Sequence, residues 1–80
     1  MDRVRALGLD EETTQQLFTI FDSTMAKFAA LREDYRVHSG LRNAVALGIL
    51  EIVSAGERNF LAIEHHAEFV GRKYLRDRHL

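Results

Sequence analysis

The sequence has 80 residues and contains neither cysteine nor proline. The lack of cysteine excludes disulfide bonds, thiolate metal sites and cysteine nucleophiles. A chain of this size buries only about 60% of its unfolded surface, so without such crosslinks it usually relies on helix packing or oligomerisation. The length predicts a single helical domain over residues 1–80.

Strong net charge and long apolar runs are missing as well. The formal net charge is −1, which gives no indication of nucleic acid or an anionic membrane as partner. The uncharged run Asn43–Leu50 has eight residues, whereas a membrane-spanning helix needs ~20. Arg3 and Arg5 are not followed by an apolar signal segment, so we expect a cytoplasmic protein.

The first predicted helix, helix A, covers residues 11–38, after an N-terminal arm or short helical turn at 1–9. Asp10 is a good N-cap, and Gly40 is expected to end the helix in a left-handed conformation. Five apolar residues at heptad-like spacing are predicted to face the core, namely Leu17, Phe21, Phe28, Leu31 and Tyr35. An incomplete bundle would expose this column to an amphipathic helix of another protein.

The second predicted helix, helix B, covers residues 41–76 and has two alternative descriptions. Its apolar stripe continues without a phase break, which favours one continuous helix with core residues Val45, Ile49, Ile52, Ile63 and Val70. Alternatively, Ser54 and Glu57 form a capping box, and the helix is kinked or broken near Gly56.

Residues 41–56 are apolar around nearly the whole circumference of a helix, which predicts a partner on the second face. Small and apolar residues are expected in an oligomer interface, namely Ala44, Leu47, Gly48, Leu50, Leu61 and Phe69. The predicted fold is therefore all-α: an antiparallel hairpin of two long helices that dimerises into a four-helix bundle.

No residue pattern predicts catalysis, and no cofactor is expected. Glu51 is the carboxylate inside the apolar segment, where pairing with Arg42 or Arg58 is more typical than acid–base chemistry. His65 and Glu68, three residues apart on one helix face, are weak candidates for metal ligands. The Glu-x-x-His motif of di-iron bundles is absent, because Ala62 precedes His65 by three residues.

The C-terminal segment carries four cations, Arg72, Lys73, Arg76 and Arg78, which complement a helix dipole or bind nucleic acid. The leading hypothesis is a non-enzymatic interaction module, an adaptor, regulator or co-chaperone, that works as a homodimer. A nucleic-acid-binding regulator and a metal-binding bundle are the alternatives.

Overall fold

The computed structural model describes residues 8–78, and all regular secondary structure in this range is helical. Three α-helices are present there, α1 (Glu11–Leu31), α2 (Ser39–Ser54) and α3 (Phe60–Asp77), with a 3-10 helix, η1 (Glu33–Val37), between α1 and α2. The predicted all-α class is confirmed, but with three helices where two long ones were expected. Residues 1–7 of the predicted arm lie outside the described range.

Helix α1 begins where the sequence predicts and ends earlier. The Asp10 carboxylate accepts a hydrogen bond from the backbone N–H of Thr13 at 2.7 Å, and the hydrogen bonds from Thr13 lower the pKa of Asp10. The helix stops at Leu31, because Arg32 is extended (φ −149°, ψ 125°). Asp34 then holds Arg32 through two hydrogen bonds of 3.1 and 2.8 Å. Helix A therefore does not continue to residue 38.

This early end separates two residues that were both predicted in the core. Tyr35 in η1 is buried at 6% exposure, whereas Leu31 is 73% exposed. Leu31 is the last residue of α1, and the chain turns away after it, so the prediction of Leu31 as a core residue was wrong. Gly40 does not end a helix either, because it lies in the first turn of α2.

The chain breaks between α2 and α3 at Gly56, as the alternative description of helix B proposed. Gly56 has φ +107°, and its N–H donates to Val53 O while Glu57 N–H donates to Ile52 O. This is a Schellman motif, in which a left-handed glycine satisfies the last carbonyl groups of a helix. Helix α3 is then capped by Asn59, whose Oδ1 accepts from Ala62 N–H at 3.0 Å. The continuous helix over 41–76 was therefore wrong, and Ser54 is not an N-cap.

The three helices form an up-down-up bundle in which each helix contacts the other two. Helices α2 and α3 are antiparallel and approach closely at Gly48, where an added Cβ would lie 3.0 Å from the side chain of Val70. Helices α1 and α3 are parallel and meet where Gly71 faces the ring of Phe28. Within residues 8–78, no helix has the length and apolar character needed to cross a membrane.

The core lies between the three helices. Thr24, which interrupts the apolar stripe of α1, is completely buried at its centre. Phe21, Ile52 and Val70, all predicted in the core, are half-buried at its margin. The buried apolar side chains are Leu17, Ile20, Met25, Phe28, Ala29, Tyr35, Leu41, Val45, Ile49, Val53, Ile63, Ala67 and Leu75.

Candidate docking groove

An open groove of about 420 Å³ lies between α1 and α2, on the side of the bundle that α3 does not cover. We call it the α1–α2 groove. Apolar side chains form most of its wall, and polar side chains lie among them. The lining residues are Thr14, Leu17, Phe18, Phe21, Asp22, Arg42, Asn43, Ala46, Ile49 and Leu50.

The groove exists because the apolar surface of α1 is wider than the contact it makes inside the bundle. Leu17 points into the core, whereas the next residue, Phe18, is 43% exposed. Phe21 and, on the opposite helix, Leu50 are half-buried. Ala46 is too small to fill the space between the helices, so an apolar depression remains at the surface.

A cation closes the groove at the end nearest η1. The guanidinium carbon of Arg42 lies 5.0 Å from the centroid of the Phe21 ring, within the range of a cation–π interaction. Nη1 of Arg42 also donates to the carbonyl oxygen of Arg36 at 3.2 Å. These two contacts hold the charged group at the groove margin, over the aromatic ring.

The predicted interface residues do not form one surface. Leu50 is the one member of that set that lines the α1–α2 groove. Gly48 is buried against Val70 within the chain, so its place in an intermolecular contact was wrong. Its missing side chain instead allows α3 to approach α2.

The remaining interface candidates lie outside the groove. Leu47 on α2 is 51% exposed, and Leu61 and Phe69 on α3 are 62% and 59% exposed. Ala44 is half-buried. The ring of Phe69 stacks on that of His66, with centroids 6.5 Å apart. None of these residues lines the α1–α2 groove, and binding sites are typically concave.

A polar network joins α1 to α3 on another side of the bundle. Lys27 donates to Glu64 at 3.0 Å and also to Glu68, and Ser23 donates to Glu64 at 3.3 Å. The hydrogen bond from Lys27 lowers the pKa of Glu64, and the bonds to Glu68 and Glu64 raise the pKa of Lys27. The network links the two parallel helices at the surface of the bundle.

The same network includes Glu68, one of the two weak candidates for a metal ligand. Glu68 lies between Lys27 and Arg72, whose Nη2 is 3.5 Å from Glu68 Oε2. Two cations on one carboxylate oppose the binding of a metal cation there. Between residues 8 and 78, no three His, Asp or Glu side chains come together as a possible metal site.

Glu51 is exposed at the surface of α2. The predicted pairing with Arg58 is not observed, because Nη1 of Arg58 donates to the carbonyl oxygens of Val53 at 2.7 Å and of Glu57 at 2.8 Å. Arg42 is held at the groove margin instead. These contacts provide no acid–base pair around Glu51.

The four predicted nucleic-acid contacts lie at the end of the bundle where α3 terminates. Arg72 pairs with Glu68, and the guanidinium group of Arg78 lies over the ring of Tyr74 at 5.2 Å. Lys73 and Arg76 are exposed.

In comparisons with known family models, curated proteins and solved structures, the chain has no significant match.

Sequence reasoning missed most of the groove, although one signal was present. Phe18 directly follows the core residue Leu17, so the apolar arc of α1 extends beyond a single stripe. Asn43 and Ala46 carry no such signal, because their role follows from the crossing of α1 and α2.

Proposed function

We propose that this chain is a small non-enzymatic interaction module, an adaptor, regulator or co-chaperone that works as a homo-oligomer. The α1–α2 groove is its contact surface. The observation that supports this proposal is the exposure of Phe18 beside Leu50 in one concave apolar surface.

The shape and chemistry of the groove suit a helix as its occupant. Two antiparallel helices with an apolar trough between them accept the apolar face of a third helix, which anchors side chains one turn apart. Polar groups at the margin, Asp22 and Arg42, provide the rim that a protein interface usually has. A helix placed there completes a four-helix arrangement around α1 and α2.

The solution mass of the protein, measured by light scattering over a concentration series, tests the proposal. We expect the mass of an oligomer for the native chain and of a folded monomer for Leu50→Lys, because a lysine in the groove opposes apolar contact. Leu47→Lys is the matched control, since Leu47 lies on the same helix outside the groove and should leave the mass unchanged. A native monomer, or equal effects of the two variants, would contradict the proposal.

A nucleic-acid-binding regulator is the second candidate. It is favoured by the gathering of Arg72, Lys73, Arg76 and Arg78 at one end of the bundle. It requires binding to a DNA or RNA duplex that weakens steeply with salt, since neutralised phosphates release counterions. Replacement of all four cations by serine should abolish this binding while the solution mass remains unchanged.

A further inference from the structure

Among residues 8–78, the charged side chains are segregated along the longest dimension of the bundle, which measures 36 Å. One end, the acidic end, contains the start of α1 and the α2–α3 loop. Its residues, 10–12 and 51–58, include five carboxylates and one cation, Arg58. The opposite end, the basic end, comprises residues 32–42 and 72–78 and includes seven arginine or lysine residues and three carboxylates.

The α1–α2 groove runs between these two ends. Thr14 and Leu50 line it toward the acidic end, and Asp22 and Arg42 toward the basic end. A molecule that lies along the groove therefore experiences excess negative charge at one end and excess positive charge at the other. The distribution of charge on the bound molecule therefore determines which of its ends lies at the acidic end of the groove.

We propose that the occupant of the α1–α2 groove is a second copy of this chain, placed antiparallel by a two-fold axis perpendicular to the helices. This inference rests on the proposed function. The axis brings the acidic end of each protomer beside the basic end of the other, so that both ends of the interface are attractive. A parallel pair would place like charges together at both ends.

The groove also satisfies the geometric requirement of a two-fold contact. Such an interface uses the same surface on both protomers, so each surface must supply both a projecting group and a space for one. Phe18 is a projecting apolar group on one wall, and the small side chain of Ala46 leaves a space on the other. A two-fold axis that crosses the groove at right angles to the helices places α1 against α1 of the other protomer, so the two exposed Phe18 rings pack on each other, next to the space left by the small Ala46 side chains.

Fluorescence energy transfer between separately labelled protomers tests the direction of pairing. The native chain contains no cysteine, so Val37→Cys at the basic end and Ser54→Cys at the acidic end each give a single labelling site. Both positions are exposed and lie outside the groove. Donor and acceptor proteins are mixed in three pairings: 37 with 37, 54 with 54, and 37 with 54.

We expect the mixed 37-with-54 pairing to give the highest transfer efficiency, in particles with the mass of a dimer. Added sodium chloride should move the association midpoint to a higher protein concentration, because it screens the attraction between the ends. Leu50→Lys should abolish transfer in all pairings, and Leu47→Lys should preserve it.

The remaining outcomes overturn the inference in distinguishable ways. Highest transfer in the two like pairings, lost with Leu50→Lys, indicates a parallel dimer and leaves the proposed function intact. High 37-with-54 transfer in particles larger than a dimer, insensitive to Leu50→Lys, indicates end-to-end stacking and contradicts both proposals. A monomer without transfer also contradicts both, because a second copy then does not occupy the groove.

Discussion

The ring of Phe28 occupies the space into which a side chain on Gly71 would project, so that a Cβ added to Gly71 would lie 2.5 Å from ring atoms Cε2 and Cζ. Phe28 is 3% exposed and packed on all sides, so the ring cannot easily move away. This contact sets the separation of the parallel helices α1 and α3.

Gly71→Ala is therefore expected to lower the free energy of unfolding by about 1–3 kcal/mol through overpacking. The opposite effect, a gain of ~1 kcal/mol, is expected of alanine in an open helix position. Urea denaturation measures the difference. In a Phe28→Leu background, Gly71→Ala should lower the free energy of unfolding by less, because leucine leaves space for the added methyl group. An equally large loss in that background would show that the contact with Phe28 does not cause the destabilisation.

Phe28→Ala removes the aromatic ring from the same contact and should cost ~3–5 kcal/mol. Since the core of a chain of about 80 residues rarely supplies more than ~3–5 kcal/mol of stability, we expect a largely unfolded protein near physiological temperature. Circular dichroism during a thermal scan reports the loss. A decrease of less than about 1 kcal/mol would show that the ring contributes little to the core.

Thr24 is completely buried, and its hydroxyl oxygen has no hydrogen-bond partner in the described part of the chain. Replacing that hydroxyl by a methyl group in Thr24→Val removes the desolvation penalty and should raise the free energy of unfolding by about 1 kcal/mol. Thr24→Ser, which keeps the hydroxyl and loses the methyl group, should lower it by a similar amount, about 1 kcal/mol. A lower free energy of unfolding for Thr24→Val would contradict this prediction and would show that the Thr24 hydroxyl makes a hydrogen bond in the folded chain.

The contact between Lys27 and Glu64 predicts a dependence of stability on pH. Lys27 holds the pKa of Glu64 in the folded chain below its ordinary value of 4.5. Glu64 therefore stabilises the fold above that value, and this contribution is lost as the pH falls through the lower, folded value. Glu64→Gln should flatten the decline in melting temperature on the acid side, below about pH 5. Glu51→Gln, at an exposed carboxylate of α2, should keep the native decline, and equal curves for the two variants would contradict this role.

The number of helices could not be read from the apolar stripe alone. Ile52 and Ile63 are eleven positions apart, which is about three turns of an α-helix, so the stripe keeps its phase across the loop. The boundaries lie at Gly56, a left-handed C-terminal residue, and at Asn59, an N-cap. The left-handed glycine was predicted at Gly40 and the cap at Ser54, so the local signals were assigned to the wrong residues.

The excess apolar surface of residues 41–56 could be predicted, but its division between two contacts could not. Once α3 folds back on α2, it covers Gly48 and leaves Leu50 facing α1. That outcome depends on how the three helices cross, which no periodicity in a single helix determines. The charge segregation likewise emerges only when α2 runs antiparallel to α1 and α3.

The most direct test of the central claim is a set of amide NMR spectra recorded over a dilution series of the native protein. We expect concentration-dependent shifts at the residues of the α1–α2 groove, Phe18, Ala46 and Leu50, and none around Leu61 or Phe69. This pattern would establish the groove as the surface through which the chain associates. Shifts confined to Leu61 and Phe69, or spectra that do not change with concentration, would contradict the claim.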